Sequence, residues 1–333
     1  MNGAQYIEID LELLRLDTIL GFDLYLPGPA GYVLYRSRNV PFNEKTRQNL
    51  LAHGVKSLYM KSTDSQKYAL YIENNLSNII ADPTVKTEQK CRLLYDASTH
   101  IARELLSDPG SPAAVKRSAR AMENMVDLYL RDDGGIRKLF ELMPEDYRLY
   151  THSTNVATFS IALGRALGIY KKDDLHQLAL GAMLHDIGKS KVPKDILMKP
   201  TRLTAEEFEI MKLHVPHGCR LAEVNPVVPR QALVPILCHH ERLSGTGYPR
   251  GIAGEEIPLF GRITAVADSF DAMTSNRVYQ AALPPFNAME LLLAETDKYD
   301  RRVVMEMMKL LGPDYSRKEQ PETAVEKESV NII

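Results

Sequence analysis

Apolar residues recur with two different periods along this chain of 333 residues. Up to about residue 66 they fall in short runs. Phe22-Asp23-Leu24-Tyr25-Leu26 and Tyr32-Val33-Leu34-Tyr35 are aromatic and β-branched stretches on either side of Pro27-Gly28-Pro29-Ala30-Gly31, a turn signal. Asn43-Glu44 opens a helix that runs through His53 and stops at Gly54, and Ser57-Leu58-Tyr59-Met60 reads as another strand. Residues 1–66 therefore predict a small α/β module. From Gln66 the period lengthens: Tyr68, Tyr71, Ile72, Leu76, Ile79 and Ile80 recur at three- and four-residue spacing, as on one face of a helix. The pattern continues over Lys86–Leu106 and Ala113–Leu130, punctuated by Pro83 and by Asp108-Pro109-Gly110-Ser111-Pro112.

Residues 67–142 read as connecting helices and as a candidate homodimer interface. Residues 143–313 predict an all-α domain with helices near 148–168, 174–188, 204–224, 229–240, 258–275 and 286–311. The tail from residue 314 is rich in Lys, Glu and Pro, a composition expected to be disordered. The expected fold class is α+β overall, a small N-terminal α/β module followed by an all-α helical bundle.

Composition changes this picture little. Hydrophobic content of 44% and charged content of 25% are those of an ordinary globular protein. A formal net charge of −2 gives no electrostatic reason to expect duplex nucleic acid or an anionic membrane as the main partner. Three cysteines, Cys91, Cys219 and Cys238, are odd in number and lack CxxC spacing, which fits a reducing compartment rather than a disulfide framework. The first residues show no basic segment followed by an apolar stretch, and no segment approaches the ~18 apolar residues needed to span a bilayer. A cytoplasmic protein is expected.

Chemistry concentrates in the second domain. His185-Asp186 lies inside the apolar run Ala182-Met183-Leu184-His185-Asp186-Ile187-Gly188-Lys189. Two such side chains are costly to bury unless something pairs with them, and a metal ion accepts both an imidazole nitrogen and a carboxylate oxygen. A lone histidine in a helix is usually satisfied by a backbone carbonyl. The case here rests on company: His152 upstream, and His214, His239, His240 and Asp268 downstream, each in or closing an apolar-periodic helix. A helical bundle can aim such residues into one cavity. Imidazoles and carboxylates without thiolates suit iron or manganese at least as well as zinc. Five histidines and two aspartates exceed what one ion with open positions requires, so two ions bridged by Asp186 is the economical reading. Lys189, three residues on, can meet a phosphate oxygen or the bridging carboxylate.

The pattern resembles the HD-GYP family, a branch of the HD-domain metal-dependent phosphohydrolases. It is carried by His152-Ser153, His185-Asp186-Ile187-Gly188-Lys189, His214 with Gly218, and His239-His240-Glu241-Arg242-Leu243-Ser244-Gly245-Thr246-Gly247-Tyr248-Pro249. Ile257-Pro258, Arg262-Ile263, Ala267-Asp268, Asp271-Ala272-Met273-Thr274 and Arg277-Val278-Tyr279 continue it, so that it covers about residues 145–312. The resemblance implies an HD-type helical bundle and hydrolysis of cyclic di-GMP to linear pGpG, in some members onward to GMP, by a metal-activated bridging water at a binuclear site. It implies that His152, His185, Asp186, His214, His239, His240 and Asp268 are metal ligands, that Lys189 and Arg277 contact phosphate, and that Tyr248 borders the substrate. Asp186 and Lys189 are then the catalytic residues and two divalent ions, iron or manganese, the cofactors. The Gly247-Tyr248-Pro249 loop is associated in the family with binding of GGDEF-domain proteins, so a non-catalytic cyclic di-GMP-responsive or GGDEF-binding signalling module is the alternative function.

Three positions depart from the family pattern. Arg148 stands where some members carry a glutamate that holds a third metal, so two metals are expected. Ser244 replaces the usual aspartate, and Gln280 replaces a basic residue. Asp271 is a candidate for holding a ligand imidazole through its other nitrogen.

Overall fold

A computed structural model describes residues 5–29, 31–143, 148–276 and 281–312. The chain divides into two compact units, Met1–Ala97 and Ser98–Ile333. The expected disorder of the tail falls outside the described residues, as do Arg277 and Gln280.

The first unit is built on a four-stranded antiparallel sheet of order β1-β4-β2-β3, made by β1 (Tyr6–Asp10), β2 (Leu24–Gly28), β3 (Gly31–Arg36) and β4 (Ser57–Lys61). The hairpin expected at Pro27–Gly31 forms, pairing Leu26 with Val33. Strand β1 was not among the expected elements. Its signal is the alternation of Ile7 and Ile9 with Glu8 and Asp10, one face of which buries Ile9 beside Leu58. Helix α1 (Glu44–Ala52) is capped by Asn43, whose side chain accepts from the Thr46 amide. Helix α2 (Ser65–Ala81) belongs to this unit, with Tyr68 and Tyr71 meeting Phe22 edge to face. The division between the units falls within α3 (Thr87–Ser107).

The second unit is helical: α4 (Pro112–Arg131), α5 (Asp133–Glu141), α6 (Leu149–Ala166), α7 (Lys172–Leu184), α8 (Lys194–Leu197), α9 (Ala205–Lys212), α10 (His214–Glu223), α11 (Leu233–Cys238), α12 (Leu259–Thr274), α13 (Pro285–Ala294) and α14 (Arg301–Leu311). The overall class is α+β, a small sheet-bearing N-terminal module followed by a helical bundle. Every residue of α6 from Thr151 to Gly164 is buried, and α12 is buried from Ile263 to Met273. Helices apolar on all sides belong at the centre of a bundle. Accordingly α6 packs on α7 and α12, α7 on α4, and α11 on both α7 and α12. Leu180, Leu184, Ile187, Ala222 and Ile236 join the ends of α7, α10 and α11 in one apolar cluster. This cluster fixes the helix ends that carry the polar residues.

Three long helices expected from periodicity are interrupted. The helix expected over 174–188 ends at Leu184, and Ile187–Lys191 continues as a 3-10 turn. That over 204–224 breaks at Leu213 into α9 and α10. That over 286–311 breaks after Ala294, and Asp300 caps the new helix by accepting from the Arg302 amide. At each break the apolar spacing runs on although the helix does not. No helix among the described residues is long and apolar enough to cross a membrane.

Candidate metal centre

Five helices or helix ends deliver polar side chains to one buried place. His152 projects from the first turns of α6, His185 and Asp186 from the break after α7, His214 from the start of α10, His239 and His240 from the end of α11, and Asp268 from α12. All are at least nine-tenths buried. Their ligand atoms gather in overlapping groups, Asp186-His214-His239-His240, His152-His185-Asp186 and His185-His239-Asp268, with separations within 4.8 Å in each. Asp186, His185 and His239 each belong to two of the groups, so the groups form one continuous cluster. All seven expected ligands therefore converge.

The imidazoles are oriented by what holds their outer nitrogen. His185 Nδ1 donates to the Ala182 carbonyl at 2.7 Å, His214 Nδ1 to Met211 at 2.8 Å, and His239 Nδ1 to Pro235 and Ile236, both at 3.0 Å. His152 Nδ1 instead meets Asp271 Oδ2 at 2.7 Å, and Asp271 Oδ1 accepts from Asn155 Nδ2 at 2.7 Å. A carbonyl can only accept, so each such bond places the proton on Nδ1 and leaves the Nε2 lone pair facing the cavity. Asp271 thus holds the imidazole of His152, one of the expected ligands. Asn155 was missed, and its signal is its position one helical turn after His152 on a polar stripe of an otherwise apolar helix.

The inner atoms then form an arrangement that protein groups alone satisfy poorly. His214 Nε2 and His239 Nε2, both lone-pair carriers, face each other at 3.3 Å. Asp186 Oδ1 lies 3.4 Å from the first and 3.9 Å from the second. His185 Nε2 and Asp186 Oδ1 are buried without a hydrogen-bond partner. Acceptors turned toward one another in a dry site repel unless a cation lies between them. The donor set therefore fits divalent metal.

Protonation states point the same way. Burial is the largest influence on the histidines and favours the neutral ring: the pKa falls to about 4 at His214, to about 3 at His239, and well below its usual value at His240. Burial alone would raise both carboxyls. At Asp186 the Lys189 ammonium outweighs it, and at Asp268 the contact with His152 does, so both carboxyls stay well below the usual range. Lys189 Nζ sits 2.6 Å from Asp186 Oδ2. Asp268 and His240, at 8% and 7% exposed, and the Lys189 side chain at 14%, are the most open members of the cluster.

The Gly245–Pro249 loop folds back on this edge. Tyr248 stacks on the His240 ring, with centroids 4.6 Å apart and planes 26° apart. Ser244, one of the three departures, donates through its backbone amide to the Asp297 carbonyl at 2.7 Å, while its hydroxyl meets that of Thr246. The backbone thus pins the loop at that point without an aspartate. Arg148 caps α6 through its backbone, and its amide donates to Thr151 Oγ1. The role expected of Arg277 lies outside the described residues.

Residues 138–303 match the HD domain family. Over 312 residues, 87% of this chain and 74% of the relative, the chain is 30% identical to the cyclic di-GMP phosphodiesterase response regulator RpfG of Xanthomonas campestris. It is 38% identical over 187 residues to the cyclic di-GMP phosphodiesterase PA4108 of Pseudomonas aeruginosa, covering 55% of this chain. It spans just under half, 44%, of that relative's length. Among solved structures the fold is similar to that of Bd1817, an HDG"Y"P protein from Bdellovibrio bacteriovorus, with a TM-score of 0.63 at 20% identity over 92% of this chain and 99% of that one. With the seven clustered histidines and aspartates, the following lysine and the Gly247-Tyr248-Pro249 loop in place, the chain belongs to the HD-GYP family of HD-domain phosphohydrolases.

Proposed function

We propose that this chain hydrolyses a phosphodiester bond of cyclic di-GMP, giving linear pGpG, at a centre holding two divalent ions, iron or manganese. The observation that carries the reading is the inward-facing set of acceptors around Asp186, with His214 and His239 turned toward each other at 3.3 Å and their outer nitrogens tied to carbonyls. His152, His185, His214, His239 and His240 would hold the ions together with Asp268, and Asp186 would bridge them. When bound, two such ions supply a water of lowered pKa and a positive clamp on phosphate oxygens.

The rest is the work of the protein's own groups. The carbonyl acceptors keep the His185, His214 and His239 imidazoles in their ligating tautomer, so these three need no reorientation when substrate arrives. Lys189, 2.6 Å from Asp186 and on the open side, offers positive charge to a non-bridging phosphate oxygen. Arg277 is proposed as a second phosphate contact. Tyr248 lines the rim. The names of the Xanthomonas and Pseudomonas relatives support cyclic di-GMP as the substrate.

The test is product chromatography with protein purified without oxygen and loaded with iron or manganese. Wild type should convert cyclic di-GMP to pGpG. Asp186→Ala should retain its helical circular dichroism, lose bound metal and fall at least 100-fold in rate. An inactive metal-loaded wild type would sink the reading, and full biological output from Asp186→Ala would favour a non-catalytic signalling module.

A further inference from the structure

Four of the five site histidines have Nδ1 held by a carbonyl or a carboxylate. His240 is different. Among the described residues no hydrogen bond fixes its Nδ1, and its ring is instead covered by Tyr248, nearly parallel at 4.6 Å. The sequence between them is shaped to bring this about. A Cβ on Gly247 would lie 2.4 Å from Arg242 N, 2.5 Å from Glu241 Cα and 2.6 Å from His240 O, so only glycine lets the loop lie on the His240–Arg242 backbone. The Tyr248 amide then donates to the His240 carbonyl at 3.1 Å, and the Arg250 amide to Glu241 Oε1 at 2.9 Å. Outside the stack, Phe208 meets the Tyr248 ring nearly at right angles at 6.0 Å, and Lys212 Nζ lies 5.7 Å from its centroid.

We propose that Tyr248 is a positioning residue for the metal centre: by stacking on His240 it fixes the plane of that ligand, as hydrogen bonds at Nδ1 fix the other four. The glycine, tyrosine and backbone contacts of the loop thus form a clamp on His240, Phe208 with Lys212 holds the clamp shut, and the Tyr248 ring meets His214 only edge on, with centroids 6.4 Å apart. Offset stacking supplies this because it restrains ring rotation without needing a polar partner. The proposal rests on the metal-centre reading, and its test separates the two.

Metal-free wild type, Tyr248→Phe and Tyr248→Leu are titrated with Co(II), whose visible absorption reports both the number of ions held and their ligand geometry. Tyr248→Phe should match wild type. Tyr248→Leu should bind one ion about 10–100-fold more weakly, with an altered spectrum. In a His240→Ala background Tyr248→Leu should add no further loss, because the ring it orients is gone. Should Tyr248→Leu not fold, Tyr248→Met takes its place as an apolar side chain without a ring. The proposal is overturned if the ringless variant binds as wild type does, if Tyr248→Phe is as weak as it, or if the losses add. A wild type that takes up no Co(II) overturns the metal-centre reading and this proposal with it.

Discussion

At Asp271 one buried carboxylate holds two side chains of α6, His152 and Asn155, each at 2.7 Å. Its removal takes from both the imidazole and the amide the acceptor that Asp271 provides. Asp271→Ala should therefore weaken metal binding about 10–100-fold, measured by competition with a chromophoric chelator, although Asp271 is not itself placed as a ligand. Asp271→Asn keeps one oxygen to accept and should lose less; equal losses in the two variants would show that charge rather than orientation matters there. The sequence exposed the candidate ligands because His and Asp are rare in apolar helices. It could not show the carbonyls of Ala182, Met211, Pro235 and Ile236, since every residue carries one and only the fold decides which faces a ring.

At the scale of elements, the site depends on where helices stop. The 3-10 turn of Ile187–Lys191 packs so closely on α10 that a Cβ at Gly188 would fall 1.9 Å from the His214 carbonyl and 2.5 Å from the Gly218 amide. Both are backbone atoms and neither can swing aside. Gly188→Ala should cost about 3 kcal/mol or more in urea unfolding, the upper end for overpacking, and should displace His214. A midpoint unchanged from wild type would refute the close packing. Breaks at Leu213 and after Ala294 were invisible in the periodicity, because apolar spacing continues through them. Yet the first turns His214 toward the centre, and the second exposes the Asp297 and Lys298 carbonyls that accept from Ser244 and Leu243.

For the whole molecule, burying neutral histidines links folding to pH. His214 and His239 titrate near 4 and 3 when folded, against about 6.5 when unfolded, so below 6.5 the unfolded chain binds protons the folded chain refuses. Stability of the metal-free protein is therefore full above pH 6.5 and falls with pH until the folded values are reached. Each of the two should contribute a loss of about 2 kcal/mol between pH 7 and pH 5. Denaturant unfolding of chelator-treated protein at the two pH values checks this, and His214→Gln should show the smaller drop. A drop of the same size in that variant would count against the burial of a neutral ring.

The residue types and their order were enough to specify an α+β chain, a helical second domain and the seven histidines and aspartates that converge there, and the motif resemblance gave the family. The first three follow from local cost: apolar periodicity must be buried, and acids and imidazoles within it need a partner. Tertiary structure alone decided which nitrogen of each ring faces inward, that Asn155 joins Asp271, and that Tyr248 lies on His240. Each of these depends on contacts between positions far apart in the chain, and no local pattern of side chains encodes a distance that packing sets.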